Sequence, residues 1–413
     1  MAETAVIPTG LSVEQARERI VEVCSTRVLP PERIDLTTAL GRTLAVDATA
    51  PFDIPGFTNS AMDGFALRGR DLPDAGDKQF DLIGEIFAGG APPPEVRADC
   101  CVRIMTGAPL PQGADTVVMK ENTRMHGGHV IVAAGTAFGA NVRPAGEDYR
   151  LGEVGVVRGE ELTPARVGVL ASFGMAKIEV ARRPRVILLT TGDELVEPGK
   201  PLGFGQIHDS NRFSLGGLIE QHGGVLLRHE RVRDDPSSLR DALSRAGAEA
   251  DLIVSSGGVS AGDADFLPGL IAEIGKVHFW KVRIKPGMPF LFGEVGGALA
   301  FALPGNPVSG IAIFLTLLEP ALATLAGASG KPTVLRARLA LPIDKRHARA
   351  EFQRARLASD AQAQLWATPQ TRQGSGMLRG VAEADALIML PEGAHAFSAG
   401  DVVDVLALPG WPR

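Results

Sequence analysis

The 413 residues contain only three cysteines, Cys24, Cys100 and Cys101, with no metal-ligand spacing among them. An adjacent pair rarely bridges, so a reducing compartment is the simpler reading. There is no surplus of cations: the formal net charge is −6, which argues against a general nucleic-acid or membrane-surface binder and confines any basic site to a local patch. No apolar run approaches the ~20 residues that span a bilayer, the longest lying over residues 308–318. The opening MAETAVIPTG lacks the basic and apolar regions of a secretory signal. No repeat, low-complexity stretch, Ser-His-Asp spacing, cysteine-nucleophile motif or zinc ligand set is visible. These absences point to a cytoplasmic protein with no nucleic acid and no membrane among its partners.

What is present is a globular composition, 45% hydrophobic and 22% charged, on a chain long enough for three or four folding units. Ser12 with Gln15 forms a capping box, and Val13, Ala16, Ile20 and Val23 recur at helical spacing, so a helix is expected over about 13–28. Short apolar runs broken by Gly and Pro extend from about 45 to 131, the mark of β-structure. Thr163 reads as an N-cap before Pro164, and Gly174 as the stop. Helical text on both sides of β-rich text suggests an interrupted domain, residues 1–45 with 147–180, around an insert of 46–146. From 181 to 330, strands such as RVILLT, DLIVSS, VHFWKVRI and ALAFAL alternate with helices, as in a doubly wound, mostly parallel sheet. In such sheets ligands bind beyond the carboxyl ends of the strands. Residues 331–413 read as a small, barrel-like β domain.

Several loops carry chemistry. In SSGGVSAGDAD (255–265), Gly257 and Gly258 let the backbone approach a ligand, while Ser256, Ser260 and free N–H groups make an anion nest. Asp263 and Asp265 are hard oxygen donors suited to Mg²⁺; a Gly-rich turn with a solvated acidic edge would explain the same text. TTGDEL (190–195) places Asp193 and Glu194 at a strand end, where they could equally cap a helix. In LPGNPVSG (303–310), Pro304 and Asn306 precede a helix N-terminus that suits phosphate, although capping accounts for Asn-Pro. In WKVRIKPG (280–287), strand spacing puts Lys281, Arg283 and Lys285 on one face and Trp280, Val282 and Ile284 on the other. That stripe implies an anionic ligand or, more blandly, a lysine-protected edge strand. Asp63, Arg143, Glu147 and Asp148 stand in turn-like contexts, while Arg354 in FQRAR and Ser375 in QGSG could hold an oxyanion. The residues alone thus indicate an α/β enzyme handling a phosphorylated anion with Mg²⁺.

Taken in order, NSAMDGFALR, TGAPLPQGAD, VRPAGEDYR, TTGDEL with GQIHDSNR, RDDP, SSGGVSAGDADF, FWKVRIKPG, LPGNPVSG, and FQR with QGSG resemble the MoeA family. These are the molybdopterin molybdenumtransferases, whose eukaryotic relative is the E domain of gephyrin. The resemblance runs from 59 to 376 and implies an elongated homodimer of four-domain subunits with its active sites at the subunit interface. It implies insertion of molybdate into adenylylated molybdopterin with release of AMP, assisted by Mg²⁺. By motif, the catalytic set would be Asp63, Asp148, Glu194, Asp234 and Asp265, with Glu194, Asp234 and Asp265 as metal ligands. Substrate-binding residues would include Thr106, Arg143, Lys281, Lys285, Arg354 and Ser375, together with the glycine-loop and Asn-Pro residues above. A molybdopterin adenylyltransferase and apo-molybdoenzymes would be its partners. Two positions depart from the family pattern: Phe65 stands for its tyrosine, and Met288 for a lysine beside the anion site.

Two rival readings remain. An adenylyltransferase sharing the central fold would explain residues 185–327 and leave the flanking motifs idle. A non-catalytic dimeric scaffold, like gephyrin in its receptor-binding role, would not need intact Asp63, Asp148, Asp234 and Asp265.

Overall fold

The computed structural model describes residues 7–91, 94–258, 266–329, 332 and 334–411. The chain forms two compact units: residues 1–33, 41–45 and 179–413 make one, and residues 34–40 with 46–178 the other.

The larger unit is built on a seven-stranded mixed sheet. Three parallel pairings join Arg185–Thr191 to Val225–Val232 and Leu252–Ser256, and the latter to Ala298–Leu303. The sheet then changes direction, because Leu291–Val295 and Gly275–Val282 pair antiparallel. Leu291–Val295 is a strand beyond those expected from the sequence. The turn before it carries Gly287, whose φ of +116° few other residues tolerate. Helices cover both faces, as their separate apolar clusters show. Leu239, Leu243, Leu267 and Ile271 pack with Ile187, Leu189 and Ile253. Ile20, Leu215 and the helix after Asn306 pack with Val186, Leu188 and Val254.

The first helix, Val13–Ser25, starts at the expected box: Ser12 Oγ accepts the Gln15 N–H at 3.1 Å and Gln15 Oε1 accepts the Ser12 N–H at 3.0 Å. Its apolar stripe joins the α/β core. The apolar helix Pro307–Leu325 is long enough to cross a membrane, but 89% of its window is buried inside the protein. Midway it opens into a π turn over Phe314–Leu318. Proline has no N–H, so Pro320 cannot donate to the carbonyl of Thr316. Arg17 Nε reaches that oxygen instead, at 3.2 Å.

After residue 333 five strands close into a barrel. Ala350–Ser359 pairs with Leu365–Pro369, that strand with Val334–Leu339, then Val402–Ala407, then Ala386–Leu390, which returns to Ala350–Ser359. The smaller unit holds a six-stranded sheet ordered Thr116–Met119, Gly64–Leu67, Cys100–Ile104, Asp77–Ile86, His129–Ala133, Thr123–His126. Helix Pro164–Ser172 is capped by Thr163 and followed by Gly174 at φ +75°.

Candidate functional site

Three loops meet beyond the carboxyl ends of the parallel strands. Gly257 has φ +100°, and a Cβ there would lie 2.6 Å from the carbonyl oxygen and the hydroxyl of Thr191. Only glycine lets the strand end at Ser256 lie so close to the TTGDEL loop. Ser256 is buried, accepting from Asn211 Nδ2 at 2.8 Å. The same amide donates to the carbonyl of Gly305 at 2.7 Å. Asn211 therefore ties the glycine loop to LPGN, and both Ser256 and Pro304 belong to that framework. Ser260, Asp263 and Asp265 lie outside the described residues.

The acidic residues divide their work. Asp235 caps helix Pro236–Glu249, and the Ser238 N–H with the Ser237 and Ser238 hydroxyls holds its carboxyl down to about 2. Its neighbour Asp234 is pushed up, first by partial burial and then by repulsion from Asp193, Glu194 and Asp235. Like charges gathered around Asp234, which no cation relieves among the described residues, are a setting in which a divalent ion binds. Among the described residues, no three His, Cys, Asp or Glu side chains converge on a metal position. Glu194 and Asp234 are hard oxygen donors suited to Mg²⁺ and would need a further ligand.

A cavity of about 390 Å³ opens beside LPGN. Its polar lining includes Lys285, Asn306, Arg349, Glu351 and Ser375. Lys285 Nζ lies 2.9 Å from Glu351 Oε1. Burial raises the Glu351 carboxyl, yet Lys285, Gln353 and His347 outweigh it and leave it below the ordinary range. Arg349 makes no ion pair or hydrogen bond through its guanidinium among the described residues, so its donors remain open to a ligand. Arg354 is fully buried and does not line the cavity as a substrate-binding arginine would. Its Nη2 donates to the carbonyls of Arg372 and Gly374 at 2.7 and 3.2 Å, while Nε has no partner. It fixes the loop that presents Ser375, and among the described residues no carboxylate pairs with it; burial lowers its pKa. The Val308 N–H is taken by the Ser375 carbonyl at 3.1 Å, which closes part of the expected helix-terminus site.

The cationic stripe does not exist as expected. Lys281 has φ +64°, and the register slips between Val277 and Phe279, so the alternation of sides breaks there. Trp280 packs on one face of the sheet and Val282 and Ile284 on the other. Lys281 sits over the Trp280 ring, 4.1 Å from its centroid. Arg283 Nε pairs with Glu392 at 2.9 Å, and only Lys285 reaches the cavity.

In the smaller unit Asp63 and Thr106 come together: Asp63 Oδ1 accepts the Thr106 N–H at 2.9 Å and its hydroxyl at 2.8 Å. These bonds, with Lys120 adding its charge, hold Asp63 below the ordinary carboxylate range. Arg143 is exposed, 3.9 Å from Glu147, and Asp148 is exposed in the turn where its N–H meets the Ile54 carbonyl. Sequence reasoning misses Arg349, Asn211 and Lys120 as site residues. Asn211 stands inside a quoted motif, whereas nothing marks the other two beyond their charge.

A doubly wound core whose cavity is lined by Lys285 and Arg349, on one chain with a β-rich unit and a closed barrel, defines a multidomain α/β protein. Comparison with known proteins makes this specific. Residues 11–174 match the MoeA N-terminal region (domain I and II), 187–324 a probable molybdopterin binding domain, and 336–408 the MoeA C-terminal region (domain IV). The chain is 36% identical to a molybdopterin molybdenumtransferase of Haemophilus influenzae, over 96% of this chain and 98% of that one. It is 34% identical to one from Nostoc, over 92% and 89%. A solved molybdopterin biosynthesis MoeA protein of Pyrococcus horikoshii superposes with a TM-score of 0.84 at 28% identity, covering 97% of this chain and all of that one. The chain belongs to the MoeA family. Matches along its whole length favour neither an adenylyltransferase of the central fold alone nor a scaffold.

Proposed function

We propose that the chain is a molybdopterin molybdenumtransferase, which takes adenylylated molybdopterin and molybdate, inserts molybdenum at the dithiolene and releases AMP. The cavity beside Lys285 carries this reading. Two cations of its lining, Lys285 and Arg349, are set against one carboxylate, Glu351, and the buried Arg354 adds a further positive charge. A small dianion would supply the missing negative charge, and Arg349 and Ser375 would donate hydrogen bonds to its oxygens. Such preorganised donors hold the oxyanion in place without reorganising during transfer.

Magnesium fits the donors of the acidic group: Glu194 and Asp234 would hold it with Asp265. When bound it would neutralise charge developing on the departing AMP. The chain's own part is to hold the TTGDEL and glycine-loop backbones close together, through the glycine approach at Gly257, and to tie the glycine loop to LPGN through Asn211. Asp63, Asp148, Arg143 and Thr106 are assigned to the substrate from the smaller unit.

We also propose a cytoplasmic homodimer with four domains per subunit (1–45 with 147–180, 46–146, 181–330 and 331–413). It would receive its substrate from a molybdopterin adenylyltransferase and pass the product to apo-molybdoenzymes. Lys281, over Trp280, is assigned a further contact with the anionic part of the substrate.

The test is equilibrium binding of molybdate. Arg349→Ala and Lys285→Ala should each weaken it by roughly tenfold or more, as expected for losing a charge-assisted hydrogen bond. The loss should be larger at low salt. Unchanged affinity in both variants would remove the oxyanion from this cavity.

A further inference from the structure

The smaller unit has a cavity of about 340 Å³ that shares no residue with the acidic and cationic loops above. Phe65, Leu82, Ile104, Met105 and Met125 form its apolar wall, and Asp63 stands in its lining with Lys120, Thr123 and Arg103, the last paired with Glu85 at 3.3 Å. Phe65 and Ile104 are packed into the sheet from which the cavity opens. The wall facing the void is therefore fixed by the fold, whereas Met105 and Met125 are adaptable.

Asp63 is held in one orientation. Both Thr106 donors converge on Oδ1, and Lys120 Nζ forms an ion pair with Oδ2 at 3.8 Å, longer than a direct hydrogen bond. The second oxygen keeps open lone pairs, and the carboxyl stays ionised because the Thr106 bonds favour the charged form. An apolar-walled slot with one oriented carboxylate, whose two cations Arg103 and Lys120 are already set against Glu85 and Asp63, suits a planar heteroaromatic with adjacent N–H donors on one edge. Its rings would fill the slot and its donors would pair with the carboxylate.

We infer that this cavity holds the pterin ring, and that Asp63 recognises the 2-amino-4-oxopyrimidine edge through its amino and ring N–H groups. The inference rests on the molybdenumtransferase reading for the presence of a pterin, and it assigns that ring a pocket distinct from the oxyanion cavity. The geometry gives Asp63 a recognition role, with Thr106 as its positioning residue. The same edge occurs on guanine, so the ligand series must separate the two sources.

The full-length protein can be titrated with free pterin, with lumazine, which has a carbonyl in place of the 2-amino group, and with guanosine, following ligand fluorescence or displacement. Pterin should bind about tenfold or more tighter than lumazine, because a site built for a donor rejects the analogue lacking it. Pterin should also exceed guanosine. Asp63→Asn, which replaces one acceptor with a donor, should abolish the pterin-over-lumazine preference. Met105→Glu should weaken both ligands alike. The wild-type comparison needs no variant and so survives any folding defect. Equal binding of pterin and lumazine, no pterin binding, guanosine binding more tightly than pterin, or a preference intact in a folded Asp63→Asn protein would each overturn the inference. Molybdate binding measured on the same samples separates this failure from failure of the functional reading: intact molybdate binding in the Lys285 cavity leaves that reading standing.

Discussion

Asp234 and Asp235 are adjacent carboxylates with opposite fates, and the difference lies in their donors. Three hydrogen bonds fix Asp235 in its charged form at a helix start, while Asp234 is pushed up by partial burial and by Asp193, Glu194 and Asp235. Replacing Asp235 by Ala should lower the melting temperature by a few degrees, as loss of an N-cap does, and leave transfer activity largely in place. Asp234→Ala should leave the melting temperature near that of the parent and abolish activity. Thermal unfolding beside an activity assay checks both, and the reverse pattern would mean that the two roles have been exchanged. Gly257 is the sharpest residue of the framework. Gly257→Ala would set a methyl group 2.6 Å from Thr191 backbone and side-chain oxygens at a φ that L-residues rarely adopt. We expect a loss of about 2 kcal/mol or more in urea unfolding, together with loss of activity. A neutral effect would show that the loop relaxes freely.

At the scale of elements, local signals are readable in the sequence and long-range ones are not. The Ser12–Gln15 box announces the first helix because its hydrogen bonds close within four residues. Helix Pro236–Glu249 opens on equally local chemistry, the Asp235 cap followed by Pro236 in its first turn. The strand through Trp280 misleads because a single positive φ at Lys281 breaks the alternation of sides along the residues beyond it, and a side-chain pattern cannot report such a residue. The barrel is legible as β-structure, but its closure joins strands far apart in sequence, which no local pattern encodes. Arg349 is invisible for the same reason: its guanidinium joins Lys285 and Ser375 around one cavity only in the fold. Sheet packing also sets a pH dependence. His278 lies buried against Phe292, ring centroids 4.9 Å apart. Burial lowers its pKa although Glu294 opposes this, and His347 is likewise lowered, first by burial. Each therefore binds a proton less readily folded than unfolded, so stability should be complete above about pH 6.5, the free-imidazole value. It should fall as pH drops below that toward the folded values. Urea unfolding at pH ~7.5 and ~5.5, on either side of that value, checks this, and replacing His278 by Gln should flatten part of the slope.

For the whole molecule, assembly and chemistry are linked. The assigned residues are spread over both compact units, and catalysis requires tightly fixed geometry. A C2 dimer would complete each site by setting one subunit's inserted domain against its partner's α/β domain. Asp63→Ala and Asp265→Ala chains, each inactive alone, should then regain partial activity after subunit exchange, because one of the two sites in the mixed dimer is wholly intact. Inactive, verified heterodimers would place each site within one subunit. The most direct measurement of the proposed transfer is AMP release from adenylylated molybdopterin by the purified protein with Mg²⁺, with and without molybdate. Release is expected only when molybdate is present, and should be lost in Arg349→Ala. Release at the same rate without molybdate, or none with it, would contradict a molybdenumtransferase.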